Sequence, residues 1–260
     1  MHGAGNDFVL VDGRNGLQVD WPELARRMCD RHFGVGSDGL LLVLPSHRAD
    51  FRMDMWNPDG SAAEMCGNGI RCFARYLLDG PARGRQELSV ETGAGVLTVR
   101  ARGSTGWLQV SMGGPVLDGR DIPVDSDENP VLHLALPELG FEVACVSMGN
   151  PHAVCFVPDV DAVDLEHVGP LVERHRLFPQ RVNFHVCQVV GLGELKMRSW
   201  ERGAGLTLAC GTGASATAVA ARLLNLTDST MTIHVPGGRL ELEWDGQGEV
   251  YMTGPAAYVF

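Results

Sequence analysis

Apolar residues along the chain form short runs that end at turn residues. Runs of four to eight apolar or alternating positions bounded by Gly, Pro, Asn or Asp are typical of β-strands. In the first part of the chain such runs cover residues 8–12, 40–44, 51–56, 87–91, 95–101 and 107–111. In the second part they cover residues 131–136, 141–146, 182–190, 196–200, 231–235, 239–244 and 249–253. The pattern therefore predicts many short strands.

Four longer stretches have the periodicity of helices instead. They cover residues 21–29, 70–78, 165–173 and 214–224. Asp20 is the expected N-cap of the first helix, and Pro22 suits its first turn. Short strands with one principal helix for each sheet favour an α+β fold.

The same residue types recur at one fixed offset. Cys66 and Cys210 are 210 − 66 = 144 positions apart. The same offset relates four further pairs, namely Trp56 and Trp200, Met53 and Met197, Gly5 and Gly149, and Asn6 and Asn150. One offset that links distant matches indicates an internal duplication. We therefore expect two structurally similar lobes, each a curved, mostly antiparallel sheet around a principal helix, with the active site in the cleft between them.

Two similar segments interrupt the strand pattern and suggest where each lobe ends. They are Met-Gly-Gly-Pro at residues 112–115 and Met-Thr-Gly-Pro at residues 252–255. We expect an N-terminal lobe over residues 1–113 and a C-terminal lobe over residues 114–254. The tail, residues 255–260, is expected to return to the sheet of the first lobe.

Each repeat places a cysteine on a Gly-x-Gly turn directly before a helix. A helix start leaves backbone N–H groups without intrahelical acceptors and carries a partial positive charge. It therefore favours an anion and lowers the pKa of a thiol placed there. If the lobes are related by a pseudo-two-fold axis, Cys66 and Cys210 face each other. A purely structural role for these cysteines is disfavoured, because a buried inert thiol needs no glycine turn beside it.

Composition narrows the classes of function. A net charge of −11 argues against a nucleic-acid partner, whose phosphates would repel the protein. No apolar run is long enough to span a bilayer, and no basic-then-apolar leader opens the chain. Seven cysteines in a chain of this length fit reduced thiols better than a disulfide framework. We therefore expect a cytoplasmic protein without a membrane partner.

The sequence also argues against a cofactor. A pyridoxal phosphate enzyme needs a lysine for its Schiff base, and Lys196, in a predicted strand, is the only lysine. The cysteines have no C-x-x-C spacing, which disfavours a metal site. We expect neither a cofactor nor a metal.

A pair of equivalent cysteines at helix starts suits the inversion of a stereocentre. That reaction needs a base on one face of the carbon and an acid on the other, and a thiolate and a thiol can exchange these roles. A Cys–His hydrolase that uses His152 would leave the second cysteine turn unexplained. A non-catalytic binder of amino acids that uses the same helix starts is a further alternative.

Five motifs resemble the diaminopimelate epimerase family, in the same order and over nearly the whole chain. They are M-H-G-A-G-N-D-F, N-P-D-G-S-A-A-E-M-C-G-N-G-I-R, G-N-P-H, W-E-R-G and A-C-G-T-G-A-S. Proline racemases and hydroxyproline epimerases are similar at the cysteine turns but fit less well. An epimerase or racemase of another amino acid, such as proline or hydroxyproline, is the alternative enzyme.

The resemblance implies a role for each motif residue. Cys66 and Cys210 would be the acid/base pair that interconverts LL-2,6-diaminopimelate and its meso form without a cofactor, in lysine biosynthesis. Gly67, Asn68, Gly211 and Thr212 would hold the α-carboxylate at the reacting end. The remaining amino and carboxylate groups would bind Asn6, Asn57, Asn150, Asn183, Glu201 and Arg202. His152 and Glu201 would tune the pKa values of the thiols, and the protein would be a homodimer.

Overall fold

The structure is a computed structural model that describes residues 1–103 and 106–260. The described chain divides into two compact units. Unit 1 comprises Met1–Ser111 and Thr253–Phe260, and unit 2 comprises Met112–Met252. Both units combine strands with a few helices, as the α+β prediction requires. Within the described ranges, no helix is both long enough and apolar enough to cross a membrane.

Unit 1 contains eight strands and two helices among the described residues. The strands are β1 (His2–Gly3), β2 (Asn6–Asp12), β3 (Gly39–Leu44), β4 (Phe51–Trp56), β5 (Ala62–Ala63), β6 (Glu87–Thr92), β7 (Gly95–Arg102) and β8 (Trp107–Ser111). The helices are α1 (Trp21–Cys29) and α2 (Gly67–Asp79). Strand β2 pairs with β3 and β4 pairs with β6 in parallel, and the other pairs within the unit are antiparallel.

The central strand of unit 1 is covered on both faces. Leu40 and Leu42 of β3 pack against Ala25 of α1 in one buried cluster. The side chain of Leu41, which points to the opposite face, lies against Gly69 of α2. A strand buried on both faces reads as a continuous apolar run, which is why the run of residues 40–44 does not alternate.

Unit 2 contains eight strands and two helices of its own among the described residues. The strands are β9 (Leu134–Leu136), β10 (Phe141–Ser147), β11 (Pro151–Phe156), β12 (Asn183–Gly191), β13 (Glu194–Glu201), β14 (Gly205–Thr207), β15 (Thr230–Val235) and β16 (Gly238–Glu243). The helices are α3 (Leu165–Glu173) and α4 (Gly211–Leu223). The last strand, β17 (Tyr251–Gly254), runs from the sequence range of unit 2 into that of unit 1.

The order of elements repeats from one unit to the next. Helices α1 and α3 are nine residues long and begin 165 − 21 = 144 positions apart. Helices α2 and α4 are thirteen residues long and begin 211 − 67 = 144 positions apart. The parallel pairs β2–β3 and β4–β6 have their counterparts in β11–β12 and β13–β15. This repetition is consistent with the internal duplication that the sequence indicates.

Several sequence predictions differ from the structure in their bounds. The helices predicted from residues 70 and 214 begin three positions earlier, at Gly67 and Gly211, because the glycines after each cysteine are helical. The strand predicted over residues 131–136 is regular only over Leu134–Leu136. In the C-terminal tail, Ala257 exchanges two backbone hydrogen bonds with His2, of 2.8 and 2.9 Å.

Helix α3 packs closely on a tryptophan of unit 2. A Cβ atom added to Gly169 would lie 2.5 Å from the Trp200 ring, so only glycine allows this approach. The indole Nε1 donates a 2.8 Å hydrogen bond to Oε2 of Glu173, at the end of the same helix. The ring is therefore fixed by packing at one point of α3 and by a hydrogen bond at another.

We predict that Gly169→Ala destabilises the protein by about 1–3 kcal/mol, the usual cost of overpacking a well-filled core. Denaturant unfolding would measure the free energy. The matched control is Leu171→Ala on the same helix, because Leu171 is 46% exposed and its truncation leaves no buried cavity. Equal stability of the Gly169 variant and the wild type would contradict the close approach of α3 to Trp200.

Candidate active site

Cys66 is the N-cap of helix α2. Its backbone is extended, with φ −140° and ψ 121°, and its Sγ accepts a hydrogen bond from the N–H of Gly69 at 3.4 Å. Serine, threonine, aspartate and asparagine usually make this contact through oxygen. The cysteine thus occupies the position where the helix best stabilises an anion.

A group of amides surrounds the Cys66 thiol. The thiol donates to Oδ1 of Asn6 at 3.6 Å, and Nδ2 of Asn68 donates to the same oxygen at 3.3 Å. Nδ2 of Asn6 donates to Asp38 at 2.7 Å, which fixes the amide with its oxygen toward Cys66. Only the thiol form of Cys66 can donate the first of these bonds.

Arg71 supports this group from the protein interior, although the sequence analysis predicted no role for it. It is fully buried, and burial lowers the pKa of its guanidinium to about 10. Its nitrogens donate to Oδ1 of Asn68 at 2.7 Å, to the carbonyl of Gly67 at 2.9 Å and to the carbonyl of Pro255 at 3.2 Å. Arg71 therefore holds the first turn of α2 to the C-terminal tail and sets the direction of the Asn68 amide.

Asn57 lies in the turn that follows β4. Its Nδ2 donates to Oγ of Ser61 at 3.0 Å, and its backbone N–H donates to the carbonyl of the same residue at 2.8 Å. The side chain is half-buried, and its contacts are those of a turn residue. Of the residues predicted for the site in unit 1, the structure brings Cys66, Asn6 and Asn68 into direct contact.

Cys210 repeats this arrangement at the start of helix α4. Its backbone is extended, with φ −115° and ψ 110°, and its Sγ accepts from the N–H of Gly213 at 3.4 Å. The hydroxyl of Thr212 lies 3.7 Å from the sulfur. Unlike the half-buried Cys66, Cys210 is only 3% exposed.

The surroundings of Cys210 raise the pKa of its thiol well above the ordinary value. Burial is the largest cause, followed by the negative charge of Glu201 and a hydrogen bond to that carboxylate. The N–H of Gly213 and the hydroxyl of Thr212 act in the opposite direction and are weaker. The prediction that the helix start lowers the thiol pKa is therefore wrong for Cys210, because desolvation and a nearby carboxylate outweigh one amide dipole. At neutral pH Cys210 is a thiol.

Four further predicted residues of unit 2 form a second group. Strands β11 and β12 place His152 beside Asn183 in parallel register. Asn183 accepts from the backbone N–H of Arg202 at 2.9 Å and donates to the carbonyl of Pro151 at 2.9 Å. Nε2 of His152 lies 2.9 Å from Oδ1 of Asn150. The exposed Arg202 is close enough to His152 that its charge lowers the pKa of that imidazole.

His185 joins this group to the start of α4 and was missed in the sequence. It lies two residues after Asn183 on β12, and it is fully buried. Its Nε2 lies 2.9 Å from Nδ1 of His152, and its ring lies where a Cβ of Gly213 would be, at 2.3 Å from that position. The available signal was a histidine inside an apolar strand, on the same face as the predicted Asn183.

Both buried histidines are neutral. Burial lowers the pKa of His185 to about 3. Burial also lowers the pKa of His152 well below its usual range, and the neighbouring His185 and Arg202 add to this effect. Among residues 1–103 and 106–260, no group of three or more His, Cys, Asp or Glu side chains is placed to hold a metal ion.

The two glycines of the cysteine turns differ in what they contact, which gives a matched pair of variants. We predict that Gly213→Ala destabilises the protein by about 1–3 kcal/mol, because its Cβ would overlap the buried His185 ring. Gly69→Ala is expected to be neutral to mildly destabilising, since its Cβ would lie 3.2 Å from a flexible Leu41 methyl group and alanine favours the helix. Thermal and denaturant unfolding of both variants would measure the difference, and equal losses would contradict it.

We also predict that Glu201→Gln lowers the pKa of Cys210, because the change removes the charge and the carboxylate that favour the thiol. The rate of alkylation of Cys210 by iodoacetamide, followed by mass spectrometry of its peptide, reports the thiolate fraction as a function of pH. The profile should move to lower pH in this variant. Glu241→Gln, at an exposed position of β16, is the control. An unchanged profile in Glu201→Gln would show that burial alone raises the pKa.

Solved structures of low sequence identity share the fold of this chain. A phenazine biosynthesis protein of the PhzF family from Bacillus anthracis is 16% identical, with a TM-score of 0.71 over 100% of this chain and 93% of that one. A hydroxyproline epimerase from Agrobacterium vitis is 17% identical, with a TM-score of 0.71 over 99% of this chain and 87% of that one. At this level of identity, the similarity establishes the class of α+β fold to which the chain belongs. Within that fold, the starts of the two cysteine-capped helices form the candidate site.

Sequence relatives identify the family within this class. The protein family described as Diaminopimelate epimerase matches residues 1–117 and 144–259 of this chain. The diaminopimelate epimerase of Desulfitobacterium hafniense is 51% identical over 100% of this chain and 95% of the relative. That of Moorella thermoacetica is 50% identical over 100% of this chain and 96% of the relative. The chain therefore belongs to the diaminopimelate epimerase family and is an isomerase, which confirms the resemblance found in the motifs.

Proposed function

We propose that this protein interconverts LL-2,6-diaminopimelate and meso-diaminopimelate by proton transfer between its α-carbon and the sulfurs of Cys66 and Cys210. Membership of the family supports the substrate and a place in lysine biosynthesis. The observation that carries the mechanism is the equivalence of the two sulfurs. Each caps a thirteen-residue helix and accepts from the N–H three residues later. Such a pair can serve a reaction that must run in both directions.

The proton balance needs one thiolate and one thiol. In one direction the Cys66 thiolate removes the α-proton from one face of the carbon, and the Cys210 thiol donates its proton to the opposite face. In the other direction the roles are exchanged, so that no proton is gained or lost overall. The raised pKa of Cys210 supports its role as the acid in the resting protein. No pyridoxal phosphate takes part in this scheme.

The helix starts and the polar groups around them supply binding. The first-turn N–H groups of Gly67, Asn68, Gly211 and Thr212 would hold the α-carboxylate, since the positive ends of α2 and α4 favour an anion. The remaining amino and carboxylate groups of the substrate would bind Asn6, Asn57, Asn150, Asn183, Glu201 and Arg202. Arg202 can offer a carboxylate two parallel hydrogen bonds.

We infer that the site lies in a cleft between the two units, because one reacting carbon must meet both sulfurs. We also propose that the protein is a homodimer in the cytoplasm. Sedimentation of the purified protein would test the dimer independently of the chemistry.

We predict that Cys66→Ala and Cys210→Ala each lower the rate of epimerisation by about 10²–10⁴-fold or more, because one face of the carbon loses its proton-transfer group. The assay incubates each protein with LL-diaminopimelate in deuterated water and measures α-deuterium and the meso product. Cys29→Ala is the control, since Cys29 is a buried thiol on α1 rather than a helix cap. A near-normal rate in either cap variant would contradict the two-cysteine mechanism. Exchange of proline in place of diaminopimelate would assign another substrate.

If the cleft brings both sulfurs to one carbon, we also predict that these two cysteines oxidise with each other. We expect air to inactivate the protein through a Cys66–Cys210 disulfide, which requires the two Cα atoms to approach within about 7 Å. A thiol reductant should restore activity, and bound substrate should protect. Peptide mapping without reduction would identify the linked cysteines. An oxidised, inactive sample in which these two cysteines are not linked to each other would contradict the proposed cleft.

A further inference from the structure

A chain of three hydrogen bonds crosses the interior of unit 2. Oγ of Ser199 lies 2.8 Å from Nδ1 of His185, and Nε2 of His185 lies 2.9 Å from Nδ1 of His152. Nε2 of His152 lies 2.9 Å from Oδ1 of Asn150. Ser199 is 3% exposed and the two histidines are fully buried, so that only Asn150 is accessible from outside.

Two directions of donation are chemically conceivable for this chain. A neutral imidazole has one N–H donor and one acceptor nitrogen, so the direction of one bond fixes the next. Either the serine hydroxyl donates to His185 and the protons follow toward Asn150, or the Asn150 amide donates to His152 and the protons follow toward Ser199. The two directions place the proton of His152 on different nitrogens.

The burial of Ser199 decides between these directions. If His185 donated to Ser199, the serine hydroxyl proton would need a second acceptor. In the described ranges, Oγ of Ser199 makes no hydrogen bond other than that to His185. A buried hydroxyl proton without an acceptor is costly. In the direction that starts at Ser199, every buried donor and acceptor of the chain is used. Nε2 of His152 then carries the proton and donates to Oδ1 of Asn150.

We propose that Ser199, His185 and His152 are positioning residues that hold the Asn150 amide with its oxygen toward His152, so that its NH₂ group is offered to a carboxylate of the substrate. The proposal rests on the proposed function, in which Asn150 is one of the residues that bind the remaining amino and carboxylate groups of diaminopimelate. Within the described residues, Nδ2 of Asn150 donates to no other group of the chain. This leaves its two protons for a bound molecule.

The equivalent asparagine of unit 1 is held in a different way. Asn6, which precedes Asn150 by 144 positions, uses its Nδ2 on Asp38 and its Oδ1 on Cys66 and Asn68. Its amide is therefore held by hydrogen bonds at both its nitrogen and its oxygen, and its oxygen accepts from the Cys66 thiol. The two repeated asparagines are thus held by different partners, and the buried histidine pair is the support of Asn150.

The tautomers can be measured directly in the wild-type protein. Two-dimensional ¹H–¹⁵N spectra of ¹⁵N-histidine-labelled protein distinguish Nδ1–H, Nε2–H and imidazolium forms. His185→Phe and His152→Gln identify the two sets of signals. We expect both histidines to carry the proton on Nε2 at neutral pH. A proton on Nδ1 of His152, or an imidazolium at either position, would overturn the proposal.

Kinetics of ring-preserving variants test the consequence for binding. His185→Phe keeps a ring against Gly213 but leaves Nδ1 of His152 without a donor, so that His152 can change tautomer and Asn150 can turn. We expect the KM for LL-diaminopimelate to rise about tenfold, with kcat changed much less, as for the loss of one oriented hydrogen bond. His185→Gln should restore most of the KM, because its amide can accept from Ser199 and donate to His152.

The outcomes separate this proposal from the proposed function. An unchanged KM in folded His185→Phe, or a fall in kcat without a rise in KM, would overturn the positioning role while leaving the epimerase activity established. If the wild-type protein does not epimerise diaminopimelate, the proposed function fails, and the tautomer spectra still test the direction of the chain. Should His185→Phe not fold, Ser199→Ala removes the first donor instead, and we expect a smaller rise in KM together with a mixture of His185 tautomers.

Discussion

The cap that a cysteine sulfur forms on a helix is the interaction on which the candidate site depends. In both units the sulfur accepts from the N–H three residues later, so the first turn of the helix and the position of the reactive atom are set together. A helix start without this contact would leave its first donors unpaired and its cysteine free to rotate. Moving Cys66 or Cys210 therefore means moving the start of α2 or α4, and the strands packed around those helices keep both starts in place.

The two caps are equivalent in backbone but not in chemistry. Cys66 is half-buried and donates to an asparagine oxygen, whereas Cys210 is buried beside the Glu201 carboxylate. Burial and negative charge hold Cys210 as a thiol. The proposed inversion, which uses a thiolate and a thiol, therefore requires Cys66 to lose the proton that it donates to Asn6. For Cys210, burial and the Glu201 carboxylate outweigh the helix start in deciding which form the sulfur takes.

Residues for which the sequence predicted no role hold the predicted site residues in their orientation. Arg71 fixes the Asn68 amide in unit 1, and His185 is hydrogen-bonded to His152 in unit 2. His185 also explains why the second cysteine turn needs glycine at position 213, since the imidazole occupies the space of a side chain. The series of hydrogen bonds that ends at Asn150 supports the candidate site in the same way. Such groups act on the site by setting the direction of an amide, that of Asn68 in unit 1 and that of Asn150 in unit 2.

The sequence by itself determined the elements and the repeat. Helix α1 has the predicted bounds and its predicted cap at Asp20, because the periodicity and the capping residue are local signals. The motifs around Cys66 and Cys210 identified the family for the same reason, since they are contiguous. Tertiary structure alone decided the raised pKa of Cys210, the burial of Arg71 and the contact of His185 with Gly213. Each of these depends on how deeply a group is buried and on residues distant in sequence, and desolvation has no signature in a local pattern of residues.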